Sequence, residues 1–168
     1  MENKTKKFDF KIRQIDNSDR KWIRKFIAQR WASEKSVSRG KVYYPHKLPG
    51  FIAFKDKKCL GLITYNIKKD SCEIITLNSI VKKKGIGSAL VEKVKKVAKN
   101  LGCQRIWLIT TNDNLGALIF WQKMGFFVKV VHPNAISFSR KLKPEIPEIG
   151  NWGIPIRDEI ELEFKIKR

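Results

Sequence analysis

Lys82-Lys83-Lys84-Gly85-Ile86-Gly87-Ser88 is the stretch of this chain whose residue types and spacing most clearly suit chemistry. Glycines at 85 and 87 leave the backbone free of Cβ atoms, so successive N–H groups can close around a phosphate. A helix starting here would add unpaired N–H donors and a partial positive charge. The chemistry on offer is anion binding. A second polar set, Thr111-Asn112-Asp113-Asn114, carries short side chains of the kind that cap helices. His46 is of a type that titrates near neutrality, but a lone loop histidine is more simply a surface residue. His132 invites the same reading. The three cysteines, Cys59, Cys72 and Cys103, are too few and too scattered for a disulfide framework or a zinc site. They read as small buried hydrophobes, and no metal is expected.

These residues need elements to hold them. The run Cys72-Glu73-Ile74-Ile75-Thr76-Leu77-Asn78-Ser79-Ile80-Val81 is strand-like and leads straight into the lysines. After it, Ile86, Leu90, Val94, Val97 and Leu101 recur at helical spacing as one apolar stripe, and Gly102 stands where a left-handed C-cap belongs. Arg105-Ile106-Trp107-Leu108-Ile109-Thr110 reads as a buried strand, residues 115–124 as a helix closed by Gly125, and residues 126–131 as another strand. Upstream, Phe8, Phe10 and Ile12 alternate with charged residues as a first strand. Asp16 or Ser18 can cap a helix burying Trp22, Ile23, Phe26 and Ile27. Residues 33–50 read as a loop with room for a short helical turn, followed by strands at 51–54 and 60–67. Ile160, Leu162, Phe164 and Ile166 form a last strand with one buried face. Before it, residues 132–156 are irregular and rich in proline and glycine, with a helical piece at 134–141.

In this order the motifs resemble the GNAT superfamily of acetyl-CoA-dependent N-acyltransferases. Lys82-Lys83-Lys84-Gly85-Ile86-Gly87 is similar to that family's [Q/R]-x-x-G-x-[G/A] pyrophosphate loop, with lysine at the first position. Thr111-Asn112-Asp113-Asn114 matches the turn after the family's fifth strand. Ala117-Leu118-Ile119-Phe120-Trp121-Gln122-Lys123-Met124-Gly125-Phe126 matches its A-x-x-F-[Y]-x-[K]-x-G-F segment. Trp121 takes the place of the usual tyrosine. That phenol is assigned to protonate the departing thiolate, and an indole N–H is no proton source at neutral pH, so the role does not transfer.

The resemblance implies a single α/β domain over residues 1–168, with a mixed, mostly antiparallel central sheet flanked by helices and splayed at the acyl-CoA cleft. It implies acetyl-CoA as cosubstrate and a small-molecule or peptide amine as acceptor, attacked directly in a ternary complex by a monomer or homodimer. Val81, Lys82, Lys83, Lys84, Gly85, Ile86, Gly87 and Ser88 would hold the pyrophosphate and pantetheine, with Trp121 beside them. A backbone N–H near Ile80 or Val81 would polarise the thioester. Asn114 would either contact the CoA arm or simply cap a helix. Glu73 would be either the general base, on a strand face shared with Ile75, Leu77 and Ser79, or half of a strand-end ion pair with a lysine. Tyr43 and Tyr44 could offer a phenol if their loop folds over the site. Asp158 and Glu159 either draw a cationic acceptor or open a charged edge strand. The irregular 132–156 insertion either covers the acceptor end, giving Phe138 and Trp152 something to pack on, or shields a sheet edge.

The chain has 36 Lys plus Arg against 16 Asp plus Glu, a formal net charge of +20. Such a field would attract coenzyme A. Lysines such as Lys93, Lys95, Lys96 and Lys99 dominate it and read mainly as a solvated helix face, with nucleic acid as the lesser alternative. A catalytically degenerate fold that binds CoA or an anionic polymer is the competing function. Residues 1–7 lack the apolar core of a signal peptide and no run suits a membrane span, so a cytoplasmic protein is expected.

Overall fold

Periodicity in the sequence becomes nine strands and four helices among residues 8–167, which the computed structural model describes. In chain order they are β1 (Lys11–Gln14), α1 (Arg20–Trp31), β2 (Ser36–Ser38), β3 (Lys41–Tyr43), β4 (Gly50–Lys55), β5 (Lys58–Lys68) and β6 (Ser71–Ser79). There follow α2 (Ile86–Asn100), β7 (Arg105–Thr111), α3 (Leu115–Lys123), β8 (Phe127–His132), α4 (Ala135–Leu142) and β9 (Glu159–Lys165). Seven strands form one sheet in the order β1-β4-β5-β6-β7-β9-β8, and β2 and β3 make a separate hairpin. Every pairing is antiparallel except β6 with β7. The α/β class and mostly antiparallel sheet expected from the sequence are present.

The two faces are covered differently. The stripe of α2 buries Ile86, Leu90, Val91, Val94 and Ala98 against Ile63, Tyr65, Cys72, Ile74, Ile106 and Leu162 of the sheet. On the other face, Ile23, Phe26 and Ile27 of α1 pack on Ile52 and Leu62. Helix boundaries follow local chemistry. Asp16 accepts the Ser18 N–H at 2.7 Å while the Asp19 carboxylate accepts the Asp16 N–H, a reciprocal cap over a short 3₁₀ turn that leads into α1. At the far end of α2 the Cys103 N–H reaches back to the Ala98 carbonyl (2.9 Å), and Gly102, at φ +72°, supplies the left-handed turn. Leu101 falls beyond the stripe and is exposed, because the helix has already ended there.

Three expectations need correction. The first strand starts only at Lys11; Phe8 and Phe10 precede it, yet they pack on the core as their alternation suggested. The 33–50 segment contains the β2–β3 hairpin as well as a 3₁₀ turn. The final strand is no edge: β9 lies between β7 and β8, and Glu159 and Glu163 on its supposedly open face are buried too.

Candidate active site

Strand β6, the turn after it and the start of α2 build the anion cradle. Lys83 (φ 58°) and Gly85 (φ 76°) both take left-handed conformations, and Gly85 is the N-cap. Its carbonyl accepts the Ala89 N–H at 3.0 Å, so the N–H groups of Ile86, Gly87 and Ser88 have no partner within the helix. Lys82, Lys83 and Lys84 are exposed around them, the Lys84 ammonium lying 5.7 Å from the Phe8 ring. Gly87 faces a cleft, where an added Cβ would come within 3.4 Å of the Phe120 ring.

That cleft exists because β6 and β7 pair only briefly. Their register runs from Ser71↔Arg105 to Ile74↔Leu108, after which the strands part. The opening, about 330 Å³, is lined by residues 74–77 and 79 of β6 and residues 108–110 of β7. Gly87, Asn114, Phe120 and Trp121 close one side, and Trp31 reaches in from the end of α1. Trp121 is buried edge-to-face against Phe120 and Phe126, each 5.0 Å away. The Asn114 side chain accepts the Ala117 N–H at 3.2 Å, so it caps α3 while lining the cleft.

Of the two backbone donors expected at the opening, Ile80 is ruled out. The Ile80 N–H is already bonded to the Leu60 carbonyl at 2.8 Å and cannot polarise a thioester. Val81 lies past the strand end, its carbonyl accepting the Ser79 hydroxyl at 2.9 Å. Antiparallel pairing with β5 alternates the direction of the β6 amides. With Ile80 pointing to β5, Ser79 and Leu77 point towards the missing β7 partner.

A bulge relocates Glu73. The β5–β6 register passes from Tyr65↔Ile74 to Thr64↔Thr76, leaving Ile75 as the extra residue. Alternation therefore inverts at Ile75, and Glu73 shares its face with Thr76 and Asn78 rather than with Leu77 and Ser79. There the β2–β3 hairpin covers it. Ser38 Oγ donates to one carboxylate oxygen (2.5 Å) and Tyr43 Oη to the other (2.7 Å). Glu73 is 5% exposed, and burial raises its pKa against the opposing pull of the two hydroxyls. No lysine pairs with it among the described residues. Burial and the hydrogen bond to Glu73 also push the Tyr43 phenol well above its usual range.

The remaining candidates have structural partners. Glu159 accepts from Arg39 and Ser139, and Asp158 from Arg157 and the Asn134 N–H. His132 sits 3.4 Å from Glu161. Tyr44 is exposed beside His46, whose pKa burial lowers. The turn after β7 does more than cap a helix. Asn112 accepts the N–H groups of Arg157 and Asp158, both at 3.0 Å, and donates to the Pro155 carbonyl. Buried Asp113 accepts the N–H (2.8 Å) and the side-chain amide (2.7 Å) of Asn151. Together they clamp the insertion against the cleft's rim. Phe138 lies over Gly40 of the hairpin turn, whereas Trp152 is 83% exposed and packs on little.

Sequence reasoning missed Trp31, Ser38 and Asn78. The signal for Asn78 was present: Thr76 and Asn78 stand two residues apart between apolar residues, the mark of a polar face. Nothing local marks Trp31 or Ser38, whose positions depend on how the α1–β3 segment folds back.

An open sheet with a phosphate-type cradle at the mouth of its split defines a class. The family model "Acetyltransferase (GNAT) family" matches residues 13–126, and the chain belongs to that family, whose fold supports acyl transfer from CoA to an acceptor. It is 47% identical over 137 residues to the uncharacterized protein YdhI of Bacillus subtilis (strain 168), covering 80% of this chain and 85% of YdhI. It is 42% identical over 138 residues to the uncharacterized YxbD of the same organism, covering 82% and 87%. Among solved structures it is similar to a Bacillus subtilis acetyltransferase in complex with CoA (19% identity, TM-score 0.67, 95% of this chain and 100% of that one). It is also similar to an Elizabethkingia anophelis GNAT family acetyltransferase with acetyl-CoA bound (20% identity, TM-score 0.65, 94% and 98%). Among the described residues no helix is long and apolar enough to cross a membrane.

Proposed function

We propose that this chain is an acetyl-CoA-dependent N-acetyltransferase, moving an acetyl group to a primary amine by direct attack in a ternary complex. The observation that carries the reading is the parting of β6 from β7 beside the unpaired N–H groups that open α2. Similar structures crystallised with CoA and acetyl-CoA support the choice of cosubstrate.

In this reading residues 82–88 hold the pyrophosphate through main-chain donors, and the pantetheine arm lies along the freed edge of β6. The amides of Leu77 and Ser79 face the thioester oxygen and stabilise the charge that develops there. The amine enters from the Glu73 face. Glu73, directly or through a water, takes the proton that the amine sheds as its nitrogen bonds to the acyl carbon and the C–S bond breaks. The thiolate then takes its proton from solvent. Trp121 walls the thiol end without proton chemistry.

The test is thiol release from acetyl-CoA over a panel of primary amines, with products identified by mass spectrometry. Amine-dependent release, intersecting initial-rate patterns and an N-acetyl product are expected. Tight CoA binding with no amine-dependent release would leave the degenerate, binding-only fold as the better reading.

A further inference from the structure

We propose that the amine acceptor also carries a carboxylate, received beside the cleft, where Trp31 lines it, by Asn78 at the edge of the indole and Lys143 over its face. The inference rests on the acyl-transfer reading of that cleft and names its substrate class.

Trp31 lines the cleft on the face opposite the anion cradle. Its Nε1–H donates to Asn78 Oδ1 at 3.1 Å, and this bond fixes which way the Asn78 amide points. The other end of that amide, Nδ2, is buried and has no hydrogen-bond partner, although Asn78 is only 8% exposed. Over the Trp31 ring, 5.9 Å from its centroid, lies the Lys143 ammonium, brought there by the first residue after α4. Lys143 is 6% exposed and makes no ion pair or side-chain hydrogen bond among the described residues. The charged groups nearest it are Glu145, which favours its charge, and Lys35, which opposes it. Lys35 is itself turned to the Leu142 carbonyl at 3.3 Å.

Buried polar groups are normally paired. A buried amide N–H without an acceptor and an ammonium without a carboxylate, both beside one indole, call for oxygens from outside the chain. A carboxylate supplies two oxygens and a negative charge for the ammonium, whose pKa burial now depresses. A second ammonium in the acceptor, as in a polyamine, would instead meet Lys143 and Lys35.

Matched amines that differ only by the carboxylate decide the matter: lysine against cadaverine, and phenylalanine against both phenethylamine and phenylalanine amide. Binding is measured by calorimetry on the full chain saturated with CoA, and turnover by thiol release. The carboxylated member should bind at least about tenfold more tightly in one or more sets. Lys143→Met should bring its ratio to the carboxylate-free partner within about threefold, and Lys143→Arg should restore the preference. Wild-type protein that shows no carboxylate preference, whether binding is equal or undetectable, overturns the inference. So does a preference that survives Lys143→Met. Preference in binding without turnover of any amine would sustain the carboxylate site and sink the transferase reading. Turnover without preference would do the reverse.

Discussion

Glu73 is the residue whose surroundings put the proposed mechanism most directly to the test. Its carboxylate accepts two hydroxyl hydrogen bonds and pairs with no ammonium, in a site dry enough to raise its pKa. A raised carboxylate pKa means the basic form is lost on acidification sooner than for an ordinary glutamate, so kcat/KM should fall as pH drops through that value. Glu73→Gln is expected to lower kcat/KM by roughly 10²–10⁴ and to remove this acidic limb; initial rates from pH 5 to 9 read both. Near-normal kinetics with lower thermal stability alone would leave Glu73 a structural residue. Trp121→Phe should keep most of the turnover, since it removes an N–H that cannot act as an acid. A loss of about a thousandfold, or about 4 kcal/mol of transition-state stabilisation, would show a part for the indole beyond packing. Gly87→Asp tests the cradle. The new Cβ has room at 3.4 Å from Phe120, so circular dichroism should be unchanged while calorimetry loses acetyl-CoA binding. Residues that act through local backbone, such as Gly85 and Gly87, were legible because turn chemistry is written in adjacent letters. The facing of Glu73 was not, since a single inserted strand residue, Ile75, reverses alternation without any mark in residue type.

At the level of elements, the insertion is the part that sequence described least well and structure explains best. Its prolines and glycines announced irregular backbone, and its helix appeared nearly where expected, as α4. What ties it down was hidden in a motif with another evident use: Asn114 caps α3, while Asn112 and Asp113 bind residues some forty positions away. Gly150 sits so close to this clamp that an added Cβ would lie 2.2 Å from Asp113 Oδ2. Gly150→Ala should therefore cost about 1–3 kcal/mol of stability, read as a lower denaturant midpoint. It should also raise KM for the amine more than for acetyl-CoA, because the displaced segment carries Lys143 at its head. An unshifted midpoint would mean the clamp gives way freely. The burial of Glu159 on β9 follows from the hairpin turn and α4 folding over it, a long-range event that a period-two pattern cannot announce.

For the molecule as a whole, the charge of +20 bears on encounter more than on fold. Association with acetyl-CoA should slow markedly between low and physiological salt, while dissociation changes little; stopped-flow traces at several ionic strengths separate the two. Binding to mixed-sequence DNA should collapse over the same range. Saturable DNA binding that persisted at physiological salt would give the polymer-binding alternative its missing support. The order of helices and strands was readable from the sequence because each element is locally patterned. Which strands neighbour each other was not, apart from the resemblance, since β9 enters between β7 and β8 by pairing across long stretches of chain.

The brief β6–β7 pairing has a mechanical consequence. Strands β1, β4, β5 and β6 are knit together along their length, as are β7, β9 and β8, yet the two blocks share only four paired residues on each side. The sheet is in effect two plates joined by a short hinge, with a strand's worth of hydrogen bonds left unmade above it. An extended pantetheine arm lying there would play the absent strand and latch the plates. Amide exchange at Leu77 and Ser79 should then be fast in the free protein and slow steeply when acetyl-CoA is added. The two plates should exchange as separate units without the cosubstrate and as one cooperative unit with it.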